Sequence, residues 1–144
     1  ENVIDTEYQS TKKPIEKFQV EPGKRALIVD DNAVIRLLVR KLLLRTGFEV
    51  EESTNGNDAL ERISAAASDI DVVIMDMHMP DMDGIQTTRA LRAMNITIPI
   101  VGLTANVMDS DRQQLIDAGC DEILNKPIDV DHFCEVLMKV LDQK

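Results

Sequence analysis

Tryptophan is absent from this chain, tyrosine occurs once and phenylalanine three times, so few rings are available to stack on a planar cofactor. Two cysteines, Cys120 and Cys134, are too few for a disulfide framework or a zinc site built on Cys ligands, and they form no CxxC pair. Both read as reduced thiols in or near the core. Positive charge is also scarce: 16 Lys and Arg stand against 26 Asp and Glu, a formal net charge of -10. No basic face is left to neutralise a nucleic-acid backbone or an anionic bilayer, so neither is expected as a partner. No apolar run approaches the roughly 18 residues of a membrane span. The opening "ENVIDTEYQS" has neither the basic start nor the apolar centre of a signal peptide. A cytoplasmic location is therefore expected.

What is present is one domain's worth of core: 144 residues, 44% of them hydrophobic. Residues 1–24 mix charges, prolines and polar residues without a period and read as a linker or tail, leaving 25–144 as the domain. From there short β-rich runs, "ALIVD" (26–30), "FEVEES" (48–53), "DVVIMD" (71–76), "IPIVGLT" (98–104) and "EILNK" (122–126), alternate with helical patterns. The helices are expected over about 33–46, 56–67, 84–94, 107–118 and 129–142, with Gly47 and Gly119 at C-terminal caps. Runs one, three and four are apolar on both faces, as central parallel strands must be, whereas "FEVEES" alternates and suits an edge. The pattern is a doubly wound α/β sandwich.

In such a sheet the C-terminal strand ends share one edge, where ligands bind. Strand one ends in Asp30 and Asp31, strand three in Asp76, strand four in Thr104 and strand five in Lys126. Carboxylates crowded together repel one another unless a cation is present, and an all-oxygen site of this kind suits Mg2+. With a metal held by some of the acids, a further carboxylate can act as nucleophile toward a phosphoryl group, and Lys126 and the Thr104 hydroxyl can contact its oxygens. Singly, Asp30, Asp31 or Asn32 could merely cap the first helix, Thr104 the fourth, and Lys126 could be a solvated charge. Together they would have to fall by chance at strand ends on one edge. Asp81 and Asp83, past Pro80 in "MPDMDG", read as a turn acid and a helix-start acid, and His78 as a solvent-facing residue at the mouth.

These residues carry a resemblance. "LIVDDN" (27–32), "VVIMDMHMPDMDG" (72–84), "IVGLTAN" (100–106) and "DAGCDEILNKPI" (117–128) resemble, in order and spacing, the receiver domain of two-component response regulators, over about residues 25–142. The resemblance implies a flavodoxin-like (βα)5 three-layer sandwich whose five-stranded parallel sheet has the order 2-1-3-4-5. It implies Asp76 as phosphoacceptor, and Asp31 with Asp30, partly through water, as the acidic pair for Mg2+. Asp76 and the backbone carbonyl of His78 would complete the protein ligands. Thr104 would follow the phosphoryl group inward, Lys126 would be its counter-ion, and the Lys126–Pro127 peptide would be cis. Ile123 departs from the family's frequent Tyr or Phe three residues before the lysine, and no aliphatic side chain can swing a ring.

The chain lacks an initiator Met and shows no output domain after the fifth helix, so a hybrid histidine kinase's C-terminal receiver or a stand-alone receiver is expected. The wording "MDMHMPDMDG", "LTAN" and "NKPI" leans toward the hybrid kind, the cytosolic end of a membrane-bound kinase included. A histidine-containing phosphotransfer protein or a histidine kinase domain is the expected partner. The first helix, "AVIRLLVRKLLLRTG", has apolar residues to spare. Ile35, Leu38, Val39, Leu42, Leu43 and Thr46 make a core stripe, and Val34, Leu37 and Leu44, with Lys41 between, make a second face expected to dock that partner.

Other classes fit less well. A haloacid dehalogenase-type phosphatase resembles D-x-D, and here the second position is His78. A flavodoxin needs aromatic stacking, and the only tyrosine, Tyr8, lies in the tail. An EF-hand with Gly84 at loop position 6 would begin at Met79 and end at Ala90. An aspartate-nucleophile phosphatase and a degenerate, non-phosphorylated interaction module stay open as alternatives.

Overall fold

The computed structural model describes residues 19–105 and 109–142. Within them, strands β1 (Arg25–Val29), β2 (Glu49–Ser53), β3 (Val72–Asp76), β4 (Ile100–Thr104) and β5 (Glu122–Asn125) alternate with helices α1 (Ala33–Arg45), α2 (Gly56–Ala66), α3 (Gly84–Ala93), α4 (Asp109–Ala118) and α5 (Val130–Asp142). All strand pairings are parallel, in the order β2-β1-β3-β4-β5, which is the doubly wound, flavodoxin-like arrangement. A 3-10 turn at Ala67–Asp69 extends α2 and was not legible in the sequence. Tyr8 and the rest of residues 1–18 lie outside the described residues. Among those described, no helix is long and apolar enough to cross a membrane.

The alternation of side chains along each strand divides the core in two. Ala26, Ile28, Val72, Ile74, Val101 and Leu103 point to one face, where Val39, Leu43, Phe133 and Leu137 of α1 and α5 cover them. Leu27, Val29, Val73, Met75 and Ile100 point to the other, against Ala59, Ile63, Leu91 and Leu115 of α2, α3 and α4. β3 and β4 are buried along their whole length, as strands covered on both faces must be. The edge strand β2 instead carries acids, and these meet Arg25, Arg36, Arg40 and Arg62 in ion pairs. Such charges also discourage pairing with a further strand.

Asn32, Asn55 and Asp83 cap the starts of α1, α2 and α3, the last through a reciprocal capping box with Gln86. Gly47 and Gly119 sit at φ 98° and 118° after α1 and α4, a left-handed conformation in which a Cβ would be strained. Gln19 and Val20, in the segment expected to be a tail, are tied to the end of α1: the Gln19 side chain donates to the Arg45 carbonyl and the Val20 N–H to that of Thr46. Leu38, expected in the core stripe of α1, is 39% exposed. At about 100° per residue it lies more than a quarter turn from Val39, beyond the strip that the sheet covers. Cys120 and Cys134 are buried free thiols, and burial pushes the Cys120 thiol up to about 11.

At the edge opposite the acids, Arg92 of α3 stitches three segments together. Its guanidinium donates to the carbonyls of Ile96, Ile98 and Gly119 at 2.8–3.0 Å, and to Asp121 Oδ2 at 3.0 Å. That carboxylate oxygen also accepts the Ile100 N–H at 2.8 Å, so one cation secures the approaches to both β4 and β5. Truncation leaves several half-buried carbonyls unpaired. Arg92→Met should lower unfolding stability by about 3 kcal/mol in urea denaturation. Stability equal to wild type would show that water replaces the guanidinium without loss.

Candidate functional site

The parallel register levels the strand ends. Val29 of β1 pairs with Met75 of β3, Asp76 of β3 with Leu103 of β4, and Thr104 of β4 with Asn125 of β5. Asp30 and Asp31 leave β1 beside Asp76, with Thr104 and Lys126 next along the same edge. One carboxylate oxygen from each of Asp30, Asp31 and Asp76 lies within 4.8 Å of the others. Asp30 is fully buried, Asp76 2% exposed, and Asp31 exposed.

The caps are made elsewhere, which leaves the acids unspent. Asn32 Oδ1 accepts the N–H groups of Val34 and Ile35 at the start of α1, so neither Asp30 nor Asp31 is needed there. Asp30 Oδ1 accepts the Asn32 N–H at 2.8 Å, and Asp76 Oδ1 the His78 N–H at 3.2 Å. Lys126 Nζ stands 3.1 Å from Asp76 Oδ1 and 3.5 Å from Asp30 Oδ2. Its backbone N–H bonds the Thr104 carbonyl at 2.8 Å, and the Lys126–Pro127 peptide is cis. The Thr104 hydroxyl, on a residue 2% exposed, lies 3.4 Å from His78 Nε2, at the mouth. Asp81, with φ 67°, and Asp83, the cap of α3, are the turn and helix-start acids expected.

The electrostatics are unbalanced. Burial pushes the Asp30 carboxyl above its ordinary value; the Asn32 N–H opposes this, the neighbouring Asp76 charge adds to it, and Lys126 partly offsets it. Asp30 Oδ2 is buried and accepts no hydrogen bond among the described residues. A buried carboxylate oxygen so placed, converging with two more acids, fits a small hard cation with oxygen ligands, and Mg2+ matches that donor set.

Gly84, at the first position of α3, was not singled out in the sequence. A Cβ there would overlap the Asp76 carbonyl oxygen and lie 2.8 Å from Met77 Cα, so only glycine lets α3 begin against the backbone that carries Asp76. The "DG" of "PDMDG" was the available signal. Ile123 is buried at 3% among the residues of the α2, α3 and α4 face. Val34, Leu37 and Leu44 are 73%, 53% and 48% exposed on α1, and Leu38 widens that apolar face.

Comparison with known proteins places this geometry. Sensor histidine kinase RcsC of Salmonella typhi is 36% identical over 111 residues, 77% of this chain and 12% of the relative. Sensor protein EvgS of Escherichia coli K12 is 40% identical over 105 residues, 73% of this chain and 9% of the relative. The chain thus spans about a tenth of the length of these relatives. The receiver domain of sensor histidine kinase PA1611 from Pseudomonas aeruginosa, solved with a magnesium ion in its active-site cleft, superposes with a TM-score of 0.74 at 30% identity, covering 83% of this chain and 98% of that one. The sequence model of the response regulator receiver domain matches residues 26–138, and with the acids, hydroxyl and lysine gathered at one sheet edge the chain belongs to that family of two-component signalling domains.

Proposed function

We propose that this domain accepts a phosphoryl group on Asp76 from a phosphohistidine donor, with Mg2+ bound, and serves as a switch in a phosphorelay. The observation that carries the reading is the buried Asp30–Asp76 pair sharing the single ammonium of Lys126. Asp30, Asp31, Asp76 and the backbone carbonyl of His78 would hold the ion, which supplies charge neutralisation for the transferred group. Asp76 is the acid at the strand end, held by the His78 N–H and by Lys126, so its carboxylate faces an incoming phosphorus in a fixed direction. In transfer, a P–O bond forms to Asp76 as the donor's P–N bond breaks, and the electron pair stays with the donor's ring nitrogen. Lys126 and Thr104 then contact the phosphoryl oxygens.

The donor is a histidine-containing phosphotransfer protein or a histidine kinase domain. Its landing place is the outer face of α1, where Val34, Leu37 and Leu44 expose apolar surface a few residues from Asp31. Solvated apolar groups of this kind gain about 25 cal/mol per Å2 when covered.

Three measurements test the reading. Asp76→Asn should abolish base-labile phosphoryl labelling from a phosphorylated donor, and omission of Mg2+ should do the same in wild type; label retained by the variant would place the acceptor elsewhere. Asp30→Asn removes a buried charge whose Oδ2 accepts no hydrogen bond among the described residues, so without Mg2+ it should melt above wild type. Wild type, by contrast, should gain about 2.7 kcal/mol at Mg2+ a hundredfold over its dissociation constant, a gain that Asp30→Asn largely loses. Leu37→Asp should slow transfer from the protein donor by about tenfold or more while labelling from acetyl phosphate persists. An equal loss with both donors would argue against docking on α1.

A further inference from the structure

The carbonyl of Asp30 lies just past the last residue of β1, where the sheet no longer supplies a partner. A buried carbonyl needs one. It accepts from Arg36 Nη1 at 2.8 Å, in the first turn or so of α1. The same guanidinium gives its Nε–H to Glu52 Oε1 of β2 at 3.1 Å, and Glu52 Oε2 is held in turn by Arg40 at 3.0 Å. The Arg36 side chain is 18% exposed. Its charge therefore does not face the carboxylates, where Lys126 is the cation; it faces the main chain that carries them.

That carbonyl belongs to the peptide joining Asp30 to Asp31. The unit is planar, so a restraint on its oxygen is carried to both Cα atoms, which lie in the same plane. The other contacts complete the frame: the Asp30 N–H donates to the Ser53 carbonyl at 3.1 Å, and Asp30 Oδ1 accepts from Asn32. Only Asp30 Oδ2 and the exposed carboxylate of Asp31 are left facing the site. We propose that Arg36 is a positioning residue for this acid pair: clamped by Glu52, it holds the Asp30–Asp31 peptide plane in the orientation that turns both carboxylates toward one Mg2+. The proposal rests on the phosphoacceptor reading above and adds to it a residue outside the site. A lysine substitutes only in part, because a single ammonium lacks the planar fork that serves a carbonyl and a carboxylate together.

The test is Mg2+ titration by calorimetry of wild type, Arg36→Gln, Arg36→Lys and Arg40→Gln, with melting temperatures taken alongside. Arg36→Gln should raise the Mg2+ dissociation constant about tenfold and Arg36→Lys by a smaller factor. Arg40→Gln, which loses only an ion pair to Glu52, should stay within about twofold of wild type, although both glutamine variants melt lower. If Arg36→Gln does not fold, Arg36→Lys decides the matter. Unchanged affinity in the folded Arg36 variants overturns the proposal, because a merely structural arginine lowers the melting temperature alone. An equal loss in Arg40→Gln also overturns it, since the ion pair and not the carbonyl would then be responsible. If wild type itself binds no Mg2+ and takes no label from acetyl phosphate, the phosphoacceptor reading falls first and this proposal with it.

Discussion

The structure turns on one cation placed between two buried acids. Lys126 reaches from the end of β5 to Asp76 at 3.1 Å and Asp30 at 3.5 Å, and without it two buried carboxylates would lie side by side without this counter-charge. The sheet gives it that reach. Only strands running the same way, in register, set residues 30, 76, 104 and 126 side by side, and only the order β2-β1-β3-β4-β5 brings β1 and β3 together at the centre. A single ammonium still does not balance three acids. Asp30 Oδ2 has only the Lys126 ion pair and no hydrogen bond among the described residues, and such local instability is characteristic of sites whose surroundings supply the stability they lack.

The surroundings do so by keeping structural duties away from the strand-end acids. Asn32 and Asp83 cap the helices, so the strand-end acids are not consumed as caps. Gly84 lets α3 start directly against the Asp76 backbone. Arg36 at the acidic edge and Arg92 at the opposite edge each satisfy main-chain carbonyls where strands give way to loops. Between the two edges lie cores on both faces of the sheet, whose buried aliphatic side chains outweigh the cost of the charged corner.

The outer face of α1 joins site and surroundings. The same helix that contributes Val39 and Leu43 to the core and Arg36 to the Asp30 carbonyl presents Val34, Leu37, Leu38 and Leu44 to solvent. A partner covering those residues would sit beside the acids, and its position would be set by an element already bonded to them. At the other side of the site, Ile123 is locked in the core. It has no ring to exchange between inside and outside.

Much of this was legible in the sequence, because periodicity and caps are local properties. Two-faced apolar runs identified β1, β3 and β4 as central, alternation identified β2 as an edge, and the residues ending those runs named the acidic corner. Helix bounds came within one or two residues where glycine or a capping side chain marked them. What the tertiary structure alone decided was which groups satisfy one another across distance in the chain. Nothing in the spacing of Arg36 or Arg92 tells whether a guanidinium meets water or a carbonyl. Leu38 passed for a core residue because a helical wheel has no knowledge of how wide a strip the sheet covers. Local sequence determines which faces are apolar and where strands end, since both follow from backbone geometry. The partners of buried charges and carbonyls depend on how whole elements stack, and that is settled only when every face has been covered at once.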